Sequence, residues 1–97
     1  MITACAECVI RFTATQHKQV FCSDGCKVTF WNRVKKRGQK LAPLLMAHRQ
    51  GRNTFTAKGA HIEYCRLAAE YAAEDKAAGR MSMHDFVRRQ DALFLRP

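Results

Sequence analysis

The sequence predicts a small α+β protein, with a cysteine-bearing β-hairpin and helix at the N-terminus and a mainly α-helical part behind it. Two observations carry this expectation. Four cysteines stand in two close pairs within the first 26 residues, around short runs of β-branched and aromatic residues. Beyond Ser23 the apolar residues recur at helical spacing, punctuated by Gly38, Gly51 and Gly79. Length sets the scale, since 97 residues make one domain with a core modest enough for an added cross-link to matter. A composition of 47% hydrophobic and 26% charged residues, without repeats or low-complexity tracts, belongs to a packed domain rather than a disordered chain.

Each element has a local cause. Val9-Ile10-Arg11-Phe12 and Gln19-Val20-Phe21 suit two short strands, closing a hairpin that starts from the first cysteine pair. Ser23 is placed to cap a helix, with Cys26 in its first turn and Val28, Phe30, Trp31 and Val34 on its packing side. Gly38 is expected to end that helix. Pro43 suits the first turn of a short helix through Leu44, Leu45, Met46 and Ala47, stopped by Gly51. A longer helix is predicted over 57–78, with Thr56 as its cap and Gly79 as its stop. Ile62, Cys65, Ala69 and Ala72 share one of its faces, and Glu63, Glu70 and Glu74 form a stripe elsewhere. Tyr64, Leu67 and Tyr71 widen the apolar arc, which implies a central position or contact with a second copy of the chain. Ser82-Met83-His84-Asp85 approximates a capping box and opens a last helix through Phe86, Val87, Leu93 and Leu95. The expected organisation is a finger over 1–40 and a helical extension over 41–97, packed as one unit.

Cys5, Cys8, Cys22 and Cys26 form the spacing C-x2-C-x13-C-x3-C. Tetrahedral Zn²⁺ needs such an arrangement: each close pair spans one edge of the tetrahedron, and the loop brings the edges together. Without a secretory h-region the chain reads as intracellular, where five cysteines point more to metal or chemistry than to disulfides. A thioredoxin-like reading of Cys5-Ala6-Glu7-Cys8 lacks its setting, because a reactive pair opens a helix after a strand in a βαβ unit. His17 is the alternative to one of the cysteines. The negative charge of four thiolates on Zn²⁺ would be offset by the helix N-terminus, amide donors, Lys18 and Lys27. Cys65 stands apart, and its helical neighbours predict a buried structural thiol.

Cys5-Ala6-Glu7-Cys8, followed by Phe21-Cys22-Ser23 and Cys26, resembles the FCS-type treble-clef zinc fingers, a group that includes the YacG-type DNA gyrase inhibitors and the MYM-type fingers. The resemblance covers about the first third of the chain. It implies a treble-clef-like fold with Cys5, Cys8, Cys22 and Cys26 as zinc ligands and, through the YacG branch, contact with a protein that handles DNA. Where YacG-like fingers carry glycine after the second cysteine this chain has Val9, and where they carry Asp-Leu-Gly after the fourth it has Val28-Thr29-Phe30-Trp31.

Charge narrows the function. The net charge is +9 and the pI about 9.8, and from Gly25 to Ala60 the chain holds no acid. That balance favours a polyanion, an acidic protein surface or an anionic membrane. Thr29, Asn32, Arg33 and Lys36 collect opposite the apolar side of the first helix, bordered by Lys35 and Arg37 and followed by Lys40. These are donors suited to phosphate oxygens and base edges. A merely solvated face ordinarily mixes signs. Nucleic acid, DNA before RNA, is the expected partner, with an acidic or DNA-handling protein as the alternative. Phe30 and Trp31 are read as packing before base stacking. No apolar run approaches the roughly 18 residues of a membrane span, so a cytoplasmic protein is expected. Phosphate loops, nucleophile motifs and catalytic dyads are missing, and His48, His61 and His84 lack ligand-like spacing. The expectation is a regulatory or accessory protein and not an enzyme.

Overall fold

The computed structural model describes residues 2–16 and 19–90. Strands β1 (Ile2–Ala4) and β2 (Arg11–Thr13) pair antiparallel in the register Ile2↔Thr13, Thr3↔Phe12 and Ala4↔Arg11. Helices α1 (Asp24–Gly51), α2 (Phe55–Ala77) and α3 (Met83–Arg89) follow. This is a small α+β fold with a treble-clef-like N-terminus. Among the described residues no helix is long and apolar enough to cross a membrane.

The hairpin is not the one expected. Arg11 and Phe12 are in a strand, but their partner precedes the first cysteine pair, and Gln19–Phe21 is irregular. The cause is the turn at the cysteines, where Cys5 N–H donates to Ile10 O at 2.9 Å and Val9 N–H to Cys5 O at 3.0 Å. That turn folds residues 5–10 back and lays β1 beside β2. Val20 contributes a single rung, accepting from Ala6 N–H at 2.7 Å. Val9 takes φ 71° to close the turn, a left-handed conformation that β-branched residues avoid.

α1 begins as expected, with Ser23 Oγ accepting from Cys26 N–H at 3.3 Å. It does not end at Gly38 or restart at Pro43: one helix of 28 residues runs through both. Gly38 disfavours the helix by up to about 1 kcal/mol, which the packing of Arg37 and Leu41 toward α2 outweighs. Pro43 leaves the Gln39 carbonyl without its helical donor, but both residues lie on the exposed side, so the carbonyl is not stranded in the core. The turn into α2 uses Arg52 at φ 20° and Asn53 at φ 58°. Gly51 permits the close approach, since a Cβ there would stand 2.9 Å from Thr54 Oγ1 and 3.2 Å from Ala57 Cβ. Thr54 caps α2 in place of Thr56, accepting from Ala57 N–H at 3.1 Å, so the helix starts at Phe55.

α2 buries Ala57, Ala60 and Asp75, not the face of Ile62, Cys65, Ala69 and Ala72. Ile62 is 69% exposed, and Cys65 is an exposed thiol rather than a buried one. Arg37 decides the matter. The residue is only 8% exposed, and its guanidinium donates to both Asp75 carboxylate oxygens at 3.0 Å and to Glu74 Oε1 at 3.0 Å and lies 4.9 Å from the Tyr71 ring centroid. Arg80, beyond the Gly79 stop, adds two bonds to Asp75 Oδ1 at 3.0 and 3.1 Å. Burial alone would raise the Asp75 carboxyl, but the two guanidiniums outweigh it and hold the group below its ordinary 3.8.

The core sits where α1, α3 and the cysteine loop meet. Phe30 and Phe86 meet at a tilt of 42° with centroids 4.8 Å apart, Phe21 meets Phe30 edge-on at 5.0 Å, and Trp31 lies 5.7 Å from Phe86. Ala6 and Val20 complete the buried cluster. Phe30 and Trp31 therefore pack as expected. Ser82 caps α3 through Asp85 N–H at 3.1 Å, and Leu93 and Leu95 lie outside the described residues.

Two changes test this account. Asp75→Ala leaves Arg37 buried without its main partner and is expected to lower stability by about 3 kcal/mol, read by thermal melting at neutral pH. Because the folded carboxyl sits below its unfolded value, its stabilisation is complete above about pH 4–5 and is lost as pH falls through the folded value. The acid limb of melting temperature against pH should be shallower in the variant than in the parent. Gly38→Ala should stabilise by about 0.5–1 kcal/mol, because a Cβ there meets nothing within 4 Å. A lowered melting temperature would contradict the continuous helix.

Candidate metal centre

The cysteines reach one point from three directions. Cys5 leaves β1, Cys8 closes the tight turn, and Cys22 and Cys26 flank the start of α1. Their four Sγ atoms lie within 4.8 Å of one another, with Cys8–Cys22 at 3.6 Å and Cys22–Cys26 at 3.7 Å. A tetrahedron with metal–sulfur bonds near 2.3 Å has edges of about 3.8 Å, whereas a disulfide closes to about 2.05 Å. All five cysteines are free, and these four are spaced as ligands of one tetrahedral ion.

The protonation chemistry agrees with the geometry. Burial raises the Cys5 thiol, but backbone donors at Cys8, Cys22 and Glu7 outweigh it and bring it down to about 6. One of these donors, Cys22 N–H, stands 3.4 Å from Cys5 Sγ. The Cys22 thiol, hydrogen-bonded to Cys8 and then to Cys26, is pushed up to about 12. Sulfurs this close share protons rather than shedding all of them, and a cation among them displaces the remainder.

Glu7, inside the first cysteine pair, joins the site to the helix. Arg33 Nη1 donates to Glu7 Oε2 at 3.0 Å, and Nη2 forms an ion pair with Oε1 at 2.6 Å. Both side chains are mostly buried, and the Arg33 guanidinium lies 5.4 Å from the Phe30 ring centroid. The cysteine turn is thereby tied to α1 independently of a metal.

The seven residues that the sequence grouped for nucleic acid separate into two sets. Thr29, Asn32, Lys35, Lys36 and Lys40 are exposed on the outer side of α1, Thr29 with its hydroxyl donating to Gly25 O at 3.0 Å. Arg33 and Arg37 turn inward to Glu7 and to Asp75 with Glu74, which corrects their placement on that face. The sequence placed Arg33 within that face and Arg37 at its border, and the acids that claim them are 26 and 38 residues away in the chain. His17 and Lys18 lie outside the described residues.

Sequence spacing also missed a ring cluster. His48 and His61, on facing helices, stack with centroids 4.7 Å apart, and Tyr64 Oη stands 3.2 Å from His48 Nδ1. No family model, curated protein or solved structure matches the chain, so the site's chemistry rests on these residues themselves.

Cys22→Ser should abolish stoichiometric metal binding, measured by elemental analysis, and melt the N-terminal lobe while α1 and α2 stay paired through Arg37. A variant retaining full metal content and the parent melting curve would overturn the ligand assignment.

Proposed function

We propose that this is a nucleic-acid-binding accessory or regulatory protein whose N-terminal lobe is an FCS-type finger built on structural Zn²⁺. The observation that carries the reading is the outer face of α1, which presents Asn32, Lys35, Lys36 and Lys40 with no acid between Gly25 and Ala60. Phosphates are the natural partners of such a surface, and the binding it gives is strongly salt-dependent. Four thiolates in tetrahedral spacing suit redox-silent Zn²⁺. The same donor set fills the coordination sphere and leaves no position for substrate, which supports a structural rather than a catalytic metal. Zinc binding of this kind contributes on the order of 10 kcal/mol to folding, and here it fixes the first turn of the helix that carries the basic face.

A second reading has its own observation. A groove of about 590 Å³ opens between α1, α2 and the start of α3, walled by Val34, Leu41, Ala68, Tyr71 and Met83. It favours a zinc-stiffened module that docks on an acidic or DNA-handling protein.

Fluorescence anisotropy of the zinc-loaded chain with duplex DNA, single-stranded DNA and RNA across a salt series separates the two. The expected result is a log affinity that falls linearly with log salt, with a slope reduced by about three when Lys35, Lys36 and Lys40 are all replaced by Ala. Failure to bind any nucleic acid at low salt would sink the first reading and leave the interaction module.

A further inference from the structure

We infer that the outer face of α1 reads B-form DNA in the major groove, with Asn32 and Gln39 directed at bases and Lys35, Lys36 and Lys40 at the flanking phosphates. The inference rests on the nucleic-acid reading above and narrows it.

The continuity of α1 is the first support. Were the chain to break at Gly38, Asn32 and Gln39 would sit on separate elements; in one helix they share a row. At 100° per residue Lys35, Gln39, Asn32, Lys36 and Lys40 fall in that order within an arc of about 140°, and every one is exposed. The amides lie toward the middle, with Lys35 at one edge and Lys36 and Lys40 toward the other. A major groove about 12 Å wide admits a helix in this orientation. The amides then meet the base edges while the two sets of lysines reach the phosphates of opposite strands.

The inward arginines supply the second support and a specificity. Arg33 and Arg37, the residue type that pairs with guanine in two-point contacts, are held by Glu7 and Asp75. What remains on the face is Asn and Gln, whose two-point partner is adenine. Val28, 57% exposed and one turn before Asn32, adds an apolar contact of the kind a thymine methyl offers.

Competing nucleic acids fit less well. The major groove of A-form RNA is too deep and narrow for a helix. Single strands are held by aromatic stacking, and the aromatic residues of α1 offer none on this face, since Phe30 is buried and Trp31 packs against Phe30 and Phe86; the exposed Phe55 belongs to α2.

The test uses the zinc-loaded full chain with a DNA duplex, the RNA duplex of the same sequence and each single strand, together with selection from a random duplex DNA pool. The inference expects duplex DNA to bind at least about tenfold more tightly than duplex RNA. It also expects selected sites to be A·T-rich at their centre. Asn32→Ala with Gln39→Ala should flatten that preference by about tenfold per contact and leave the salt slope unchanged, with zinc content confirming that the fold is intact. Equal or tighter binding to RNA or to single strands, or a selected preference that survives the double variant, would overturn the groove assignment while leaving nucleic-acid binding in place. Absence of binding to every probe at low salt would instead remove the underlying reading, and this inference with it.

Discussion

Mutual repulsion among four sulfur atoms is the constraint around which the N-terminal third is arranged. Thiols packed within 4.8 Å of one another cannot all ionise in water, so the loop that gathers them favours a compensating cation. The protein supplies part of the compensation itself, through amide donors to Cys5 and through the start of α1 beside Cys22 and Cys26. The aromatic cluster on Phe30 then closes over the back of the loop. In a chain this short, that core is small, and a metal cross-link between residues 5 and 26 would remove much of the freedom the unfolded loop regains.

Two arginines of α1 have a different task from its lysines. Arg33 and Arg37 are spent on the interior, the first binding the cysteine turn to α1 and the second binding α1 to α2. A planar guanidinium suits such work because it grips a carboxylate at two points and stacks on a ring, as Arg37 does on Asp75 and Tyr71. The lysines of α1 have no comparable hold and stay in water. The high net charge is thus divided between a structural set and a surface set, and only the surface set is available to a polyanion.

Much of the site was legible in the sequence, because ligand spacing is a local property: Cys5, Cys8, Cys22 and Cys26 needed no tertiary information. Caps were legible for the same reason at Ser23 and Ser82, where a hydroxyl three residues before an amide is enough. The errors have one physical origin, tertiary contact overriding a local preference. Gly38 and Pro43 are helix breakers by propensity, yet packing of α1 on α2 carries the helix through them. The apolar count chose the wrong face of α2, since a buried Asp75 paired with Arg37 turned Ile62 and Cys65 outward. β1 was missed because Ile2–Ala4 is three residues long and is held by the cysteine turn more than by its own pattern.

The unbroken α1 also has a mechanical meaning. A helix of 28 residues is about 42 Å long, gripped at one end by the cysteine turn and carrying α2 on the Arg37–Asp75 pairing. It acts as a lever. A tilt of about 5° at the cysteine end sweeps the far tip, where His48 stacks on His61, through roughly 4 Å. A small change in packing where Arg33 meets Glu7 would therefore be magnified several turns away, at the tip where α1 turns into α2.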